Sequence, residues 1–247
     1  QFINEQVGFC CGTGFFFYTR DGGETWIESD LGYLMRSTWD LSFVDEDTGW
    51  LVVEVYTDEN YGGLESHILR TDDGGVTWQT QFTYDHSLRN IDFCDGMTGW
   101  AIGSTYMDTF DNTDVFRTVD GGTTWEQAGS LFGTRQKVYV VSKDEAWLLY
   151  SGLTITCDGG KNWVRRDETM SITNNPFDAA IIDNNNAYIW FSHFVNENDL
   201  KQSLQLTKDR GNTFETILTI PRANPGDIFW GSEIFVFNST IWVAGIG

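Results

Sequence analysis

The sequence is short of basic residues, of cysteine and of long apolar runs. Lys and Arg number 15 against 36 Asp and Glu, a formal net charge of −21. Phosphate backbones are bound through basic surfaces, so DNA and RNA are excluded as general partners. No apolar run reaches the ~18 residues of a spanning helix, so no membrane span is expected. There are 3 Pro and 4 Cys, and so few cysteines do not build a disulfide scaffold. Cys10 and Cys11 are adjacent, which in a strand sends them to opposite faces. Cys94 and Cys157 stand far off in sequence, and no pair has zinc spacing. Buried free thiols are expected, with one disulfide as the alternative. No stretch keeps a 3.6-residue apolar period, so helix content should be low. Residue 1 is Gln and no basic-then-apolar leader follows, which suggests a processed form, an expressed fragment or an excised domain.

What is present is an apolar, aromatic and repetitive chain. Hydrophobic residues make up 40% of the 247 positions, enough for a real core. One octad recurs five times. It runs from Thr19 through Asp21 to Trp26, from Thr71 through Asp73 to Trp78, and from Thr118 through Asp120 to Trp125. It recurs from Thr156 through Asp158 to Trp163 and, in degenerate form, from Thr207 through Asp209 to Phe214. The closing aromatics are 52, 47, 38 and 51 residues apart. A second motif interleaves with it: Phe43 to Trp50 matches Phe93 to Trp100, with looser copies at Phe2–Phe9, Val140–Trp147 and Ile181–Tyr188. A shorter sixth copy ends in Trp242.

Each unit parses into four short strands. In the second, strand one is placed at about Trp39–Val44 and strand four at about Thr77–Phe82. An Asp-Gly-Gly turn joins strands three and four, because Gly takes φ > 0 without steric cost. Four-stranded units at this spacing predict an all-β chain: a β-propeller of four-stranded antiparallel blades. The count is about six blades, five complete units plus a partial sixth from about Ile234; a five-bladed ring with an appended hairpin is the alternative. Residues 1–247 are read as one propeller domain, truncated at one or both ends if the intact protein continues.

At the octad the chain resembles the Asp-box, or bacterial neuraminidase repeat, family. The paired F-x-D-x-x-x-G-W segment resembles the propellers of photosystem II assembly and stability factors. The resemblance covers nearly the whole chain and implies the propeller fold. It does not imply one function, since the box occurs in sialidases, xyloglucan-degrading enzymes, sortilin-type receptors and non-catalytic assembly factors. Asp21, Asp73, Asp120, Asp158 and Asp209 are read as structural, each accepting hydrogen bonds within its own turn. Trp26, Trp78, Trp125, Trp163 and Phe214 are read as wedges between sheets.

In a four-stranded meander, the one-to-two and three-to-four turns share one face. Function is therefore expected on the opposite face, where loops vary. Three of those loops are enlarged, around Tyr56–Glu65, Ser104–Asp114 and Ser192–Gln202. They bring Tyr56, Tyr61, Tyr106 and His193 to that face, and tyrosines are common binding anchors. Arg36, Arg89 and Arg135 each stand just before the innermost strand of a blade, where clustered guanidiniums could hold a carboxylate or sulfate. The alternative is surface arginines paired with nearby acids.

Catalytic readings find less support. The sialidase F/Y-R-I-P segment is absent, Ile220-Pro221-Arg222 having neither its order nor its place, and no Tyr–Glu pair can be assigned. A two-carboxylate glycosidase needs a pair ~5–9.5 Å apart, and 36 acids do not single one out. His67, His86 and His193 adjoin no nucleophile motif. No catalytic residue is assigned. No cofactor is expected; calcium alone is left open, by Asp108, Asp111, Asn112 and Asp114. The expectation is a scaffold that binds a protein partner, exported, periplasmic or on a cell surface. A carbohydrate-active or glycan-binding protein is the alternative.

Overall fold

The computed structural model describes residues 1–105, 112–132, 137–150, 152–166, 175–196, 199–221, 230–237 and 240–246. Every element assigned among them is a strand, and the strands form antiparallel meanders. The first sheet holds β1 (Gly8–Gly12), β2 (Phe15–Thr19) and β3 (Ile27–Glu28). The N-terminal residues complete it: Phe2 bridges to Gly8, and Ile3 donates to the Val7 carbonyl at 2.9 Å. The second holds β4 (Met35–Phe43), β5 (Gly49–Tyr56), β6 (Leu64–Thr71) and β7 (Gln79–Tyr84). The third holds β8 (Ser87–Phe93), β9 (Gly99–Thr105), β10 (Asn112–Thr118) and β11 (Glu126–Phe132).

The fourth holds β12 (Lys137–Val140), β13 (Ala146–Tyr150), β14 (Gly152–Thr156) and β15 (Val164–Arg165). The fifth holds β16 (Asn175–Ile181), β17 (Ala187–Asn196), β18 (Asp199–Thr207) and β19 (Glu215–Pro221). The sixth holds β20 (Trp230–Phe237) and β21 (Thr240–Ile246). This is the predicted pattern of propeller blades: four of four strands, the first of three strands with the Phe2 bridge in the fourth place, and one of two strands among the described residues. By compactness the chain divides into Gln1–Lys143 and Asp144–Gly247.

The octads behave as closed local units. In the second, the Thr71 hydroxyl donates to Asp73 Oδ1 at 2.8 Å and accepts from the Gly75 amide at 2.9 Å. The Thr77 amide and hydroxyl donate to the two Asp73 oxygens at 2.8 and 2.6 Å. Asp21, Asp120, Asp158 and Asp209 repeat this pattern, with Asn162 replacing the second hydroxyl beside Asp158. Gly74 takes φ +69°, a left-handed conformation that suits glycine, and donates to the Asp47 carbonyl at 2.8 Å. That bond ties the octad to the one-to-two turn of its own sheet, so the two turns do share an end. In the degenerate octad Arg210 holds the same conformation at φ 60° and donates to Asn185 in the same way.

The closing aromatics of the first unit lie between sheets where a preceding sheet exists. Trp78 meets Phe16 at 4.9 Å and Phe43 at 6.2 Å, and Trp125 meets Phe82 at 6.2 Å and Phe93 at 5.9 Å. Trp26 packs on Phe2 at 6.0 Å and stays 38% exposed. In the second unit Phe214 meets Phe191 at 5.7 Å, and Trp163 is half-buried. The second motif also has a packing reason. Gly49 faces Phe43 across the strand pair, and a Cβ there would meet the ring at 2.4 Å; Gly99 and Phe93 repeat this at 2.3 Å. Trp50 then stacks on Phe93 of the next sheet at 3.4 Å, and its indole N–H donates to the Gly121 carbonyl at 3.2 Å.

Three expectations need correction. Strand one of the second unit begins at Met35 rather than Trp39, and strand four runs over Gln79–Tyr84. The segment Ser192–Gln202 is not a loop, because β17 and β18 pair as far as Asn196 and Asp199. The cysteines are free, but Cys94 and Cys157 are exposed and Cys10 and Cys11 half-buried. Burial pushes the Cys11 thiol up to about 12 and the Cys94 thiol up to about 11, so neither is an activated thiolate.

Candidate functional site

The first unit gathers most of the described site residues at the end of the second sheet opposite its octad. Arg36 and Arg89 lie inside their strands, not before them. Arg36 is the unpaired residue of a β-bulge between Met35 and Ser37. Trp39 is a second bulge in the same strand, between Thr38 and Asp40, and Arg89 is a third, in β8 between Leu88 and Asn90. A bulge inserts one residue without a partner and re-aims its side chain.

The consequence is one stacked pair. The Arg89 guanidinium lies 3.8 Å from the centroid of the Trp39 ring. Trp39 remains 37% exposed, and Arg89 is exposed as well. No acid among the described residues pairs with Arg89, so the ring is the partner the structure gives its guanidinium. Arg36 differs, its Nη1 donating to Glu54 Oε2 at 2.8 Å. Glu54 is 4% exposed, so Arg36 neutralises a buried carboxylate.

Aromatic groups flank these arginines. Tyr56 ends β5, and its amide donates to the Leu34 carbonyl at 3.0 Å. Tyr61, 64% exposed, meets Tyr56 edge-on at 4.9 Å. Tyr33 shares a short hydrogen bond with Thr80 and meets the buried His67 ring at 4.9 Å. His67 Nε2 lies 2.8 Å from Glu65, while its Nδ1 has no partner among the described residues. Glu54 and Glu65 are therefore both engaged.

Behind the bulges runs a ladder of side chains from one sheet to the next. Asp40 Oδ2 accepts from the Ile91 amide at 2.9 Å and from Asn90. Asn90 Oδ1 accepts from the Val138 amide at 2.6 Å, and Asp92 Oδ2 from the Val140 amide at 2.7 Å. Ser42 Oγ accepts from the Phe93 amide at 3.0 Å, and Gln1 bonds both the amide and the carbonyl of Phe43. In the second unit Asp178, which follows a bulge at Phe177, accepts from the Ile234 amide at 2.6 Å. Burial pushes the Asp40 carboxyl up to about 6 despite its amide bonds. Burial, aided by the Asp40 charge, pushes Asp92 up to about 7. The ladder braces the strands that present Trp39 and Arg89.

Arg135 and Tyr106 lie outside the described residues, as do Asp108, Asp111 and residues 222–229. His193 sits in β17 opposite Lys201. Asp114 accepts from the Tyr84 hydroxyl at 2.7 Å and from Gln127 at 2.9 Å. A separate open depression of about 560 Å³ is lined by Asn4, Arg20 and Glu46, with Asn4 and Arg20 both donating to Glu46.

Trp39 was not singled out by the sequence. The signal for it is a third repeat on the first strands: Trp39-Asp40, Arg89-Asn90 and Phe177-Asp178, a large side chain followed by a short polar one.

No family profile and no curated protein matches the sequence. Solved structures do match. The structure described as YCF48 bound to D1 peptide is 18% identical, with a TM-score of 0.53 over 99% of this chain and 88% of that one. A GH74 enzyme of Niastella koreensis is 13% identical, with a TM-score of 0.56 over 85% of this chain and 43% of that one. A Trypanosoma rangeli sialidase is 12% identical, with a TM-score of 0.54 over 94% of this chain and 46% of that one. The fold is that of a β-propeller. At these identities the likeness extends to fold alone, and the neighbours include both a peptide-bound protein and glycosidases.

Proposed function

We propose that this protein is a non-catalytic propeller scaffold that binds a partner protein through a carboxylate-bearing segment at Arg89 and Trp39. The observation that carries the reading is the stacked pair itself. In a chain of net charge −21, a guanidinium held on an exposed indole, with no acid partner among the described residues, is a preorganised receptor for a carboxylate. Arg and Trp are the residue types that most often dominate binding energy. The octads, read as Asp boxes, are scaffold in this proposal, since each aspartate spends its lone pairs within its own turn. Tyr56 and Tyr61 supply contact area, and Arg36 fixes Glu54. Tyr106 and Arg135 belong to the same proposed face on sequence grounds. The glycosidase alternative needs two convergent carboxylates; Glu54 and Glu65, the two described beside Arg36 and His67, are taken up by those residues. An exported, periplasmic or surface location is proposed on composition alone.

The test is a peptide array offering each sequence with a free C-terminal carboxylate and as the amide. Preferential binding of free acids is expected, with affinity for the best one falling at least about tenfold in Arg89→Ala, or about 1.4 kcal/mol. Trp39→Ala should lose a similar factor. Equal binding of acids and amides by the wild type, or no change in Arg89→Ala, would refute the reading.

A further inference from the structure

Trp39 and Arg89 each stand between two anchored residues. Beside Trp39, Thr38 Oγ1 donates to the Phe15 carbonyl of the first sheet at 2.9 Å, and Asp40 Oδ2 accepts from the Ile91 amide of the third sheet at 2.9 Å. Beside Arg89, the Leu88 amide donates to Ser66 Oγ of the second sheet at 2.9 Å, and Asn90 Oδ1 accepts from the Val138 amide of β12 at 2.6 Å. A further bond joins the two flanks directly, because the Asn90 side-chain N–H donates to the same Asp40 oxygen. A bulged residue has no cross-strand partner to fix its direction, so its anchored neighbours do so.

The chemistry of the joining bond is one-sided. An ionised carboxylate only accepts, whereas a side-chain amide both donates and accepts. Asp40 therefore turns the nitrogen of Asn90 toward itself and leaves the oxygen for the Val138 N–H. A protonated Asp40 can donate instead, which removes the constraint on Asn90. The titratable groups that act on Asp40 or respond to it from the packed strands are Asp92 of β8, Lys137 of β12 and the Cys11 thiol of β1.

We propose that Asp40 is the positioning residue of the Arg89–Trp39 site, holding the guanidinium on the indole through Asn90 while its carboxylate is ionised. The proposal rests on the carboxylate-binding reading for its ligand and gives that site a control. Burial pushes the Asp40 carboxyl up to about 6. The stack is therefore complete above that pH and loosens as pH falls through it.

The stack is tested without ligand, by nuclear magnetic resonance of the 247-residue protein. Arg89 side-chain protons lying over an indole are displaced upfield by its ring current, and Trp39→Leu defines the unstacked value. In the wild type the displacement is expected in full at about pH 7.5 and at least half lost at about pH 5. Asp40→Asn keeps the side-chain shape but cannot ionise, so its displacement should not change with pH. Asp40→Ala and Asn90→Ala should each lose at least half of it at about pH 7.5. Asp92→Ala breaks the neighbouring rung to Val140 and should keep it. Circular dichroism checks that each variant is folded; where Asp40→Ala is not, the wild-type and Asp40→Asn titrations decide. The best free-acid peptide of the array should bind Asn90→Ala at least about fivefold more weakly, and Asn90→Ala should add nothing in an Arg89→Ala background. A displacement that is constant with pH in the wild type, that titrates unchanged in Asp40→Asn, or that survives Asn90→Ala overturns the proposal. Failure of every peptide to bind overturns the carboxylate-binding reading, and the ring-current titration still decides whether Asp40 positions the stack.

Discussion

Aspartate serves two regions of this protein in opposite ways. In the octads it stands near solvent and accepts three or four bonds from residues within four positions of itself. Its carboxyl is held below its usual range, down to about 2 at Asp21, through the Thr25 hydroxyl and amide and the Thr19 hydroxyl. At Asp73 the same bonds outweigh an opposing desolvation. On the first strands, Asp40 and Asp92 accept amides about fifty residues away, and burial raises both carboxyls. One residue type thus closes a turn locally and joins sheets at long range. The difference in solvation decides which way its proton affinity moves.

Breaking the ladder should cost most. Asp92→Ala leaves the Val140 amide without its acceptor inside the protein, and about 2–3 kcal/mol of unfolding free energy is expected to be lost in urea titrations. Asp73→Ala should cost less, about 1–2 kcal/mol, because water can replace the lost bonds in an exposed turn. A reversed order would show that the octads, not the ladder, carry the sheets.

The pH dependence separates the regions by sign. Asp40 and Asp92 hold protons more tightly folded than unfolded, so stability falls as pH rises from about 4 to about 7. The octad carboxyls hold protons less tightly folded, so their contribution is complete above about pH 4 and is lost as pH drops toward 2. The double variant Asp40→Asn, Asp92→Asn should flatten the slope between pH 4 and 7 and leave the acid limb unchanged. Unfolding midpoints measured across pH would show a persistent slope if other groups cause it.

The smallest effect sharpens the octad side. Arg210 carries the left-handed backbone that glycine takes in the other four octads. Arg210→Gly relieves about 1 kcal/mol of backbone strain. It also removes the 3.3 Å pairing with Glu145, so a net change within about 1 kcal/mol in either direction is expected by thermal denaturation.

Much of the fold was legible because its signals are local. The octad is an eight-residue turn that satisfies itself, so five copies announced five outer hairpins whatever surrounded them. The Phe-Gly-Trp pattern marked the inner hairpins because a ring needs a glycine beneath it. The site was less legible. Arg36 and Arg89 were visible as cations in an acidic chain, but not that one would neutralise Glu54 and the other lie open on Trp39. Bulges decided this, and a bulge is defined by the partner strand rather than by the residue it displaces. The third enlarged loop was misread for a related reason: strand length depends on what the neighbouring strand offers, as β17 and β18 show.

The sequence by itself determined the all-β character, the meander of short strands, the position of each octad turn and the sign of the overall charge. These follow from periodicity, glycine conformation and composition within a few residues. Only the tertiary structure decided which aspartates lie in the buried ladder and which arginine stacks on an indole with no acid partner among the described residues. Each of these depends on groups forty or more residues apart. Burial and pairing at such separation are properties of neighbours that the chain brings together only when it folds.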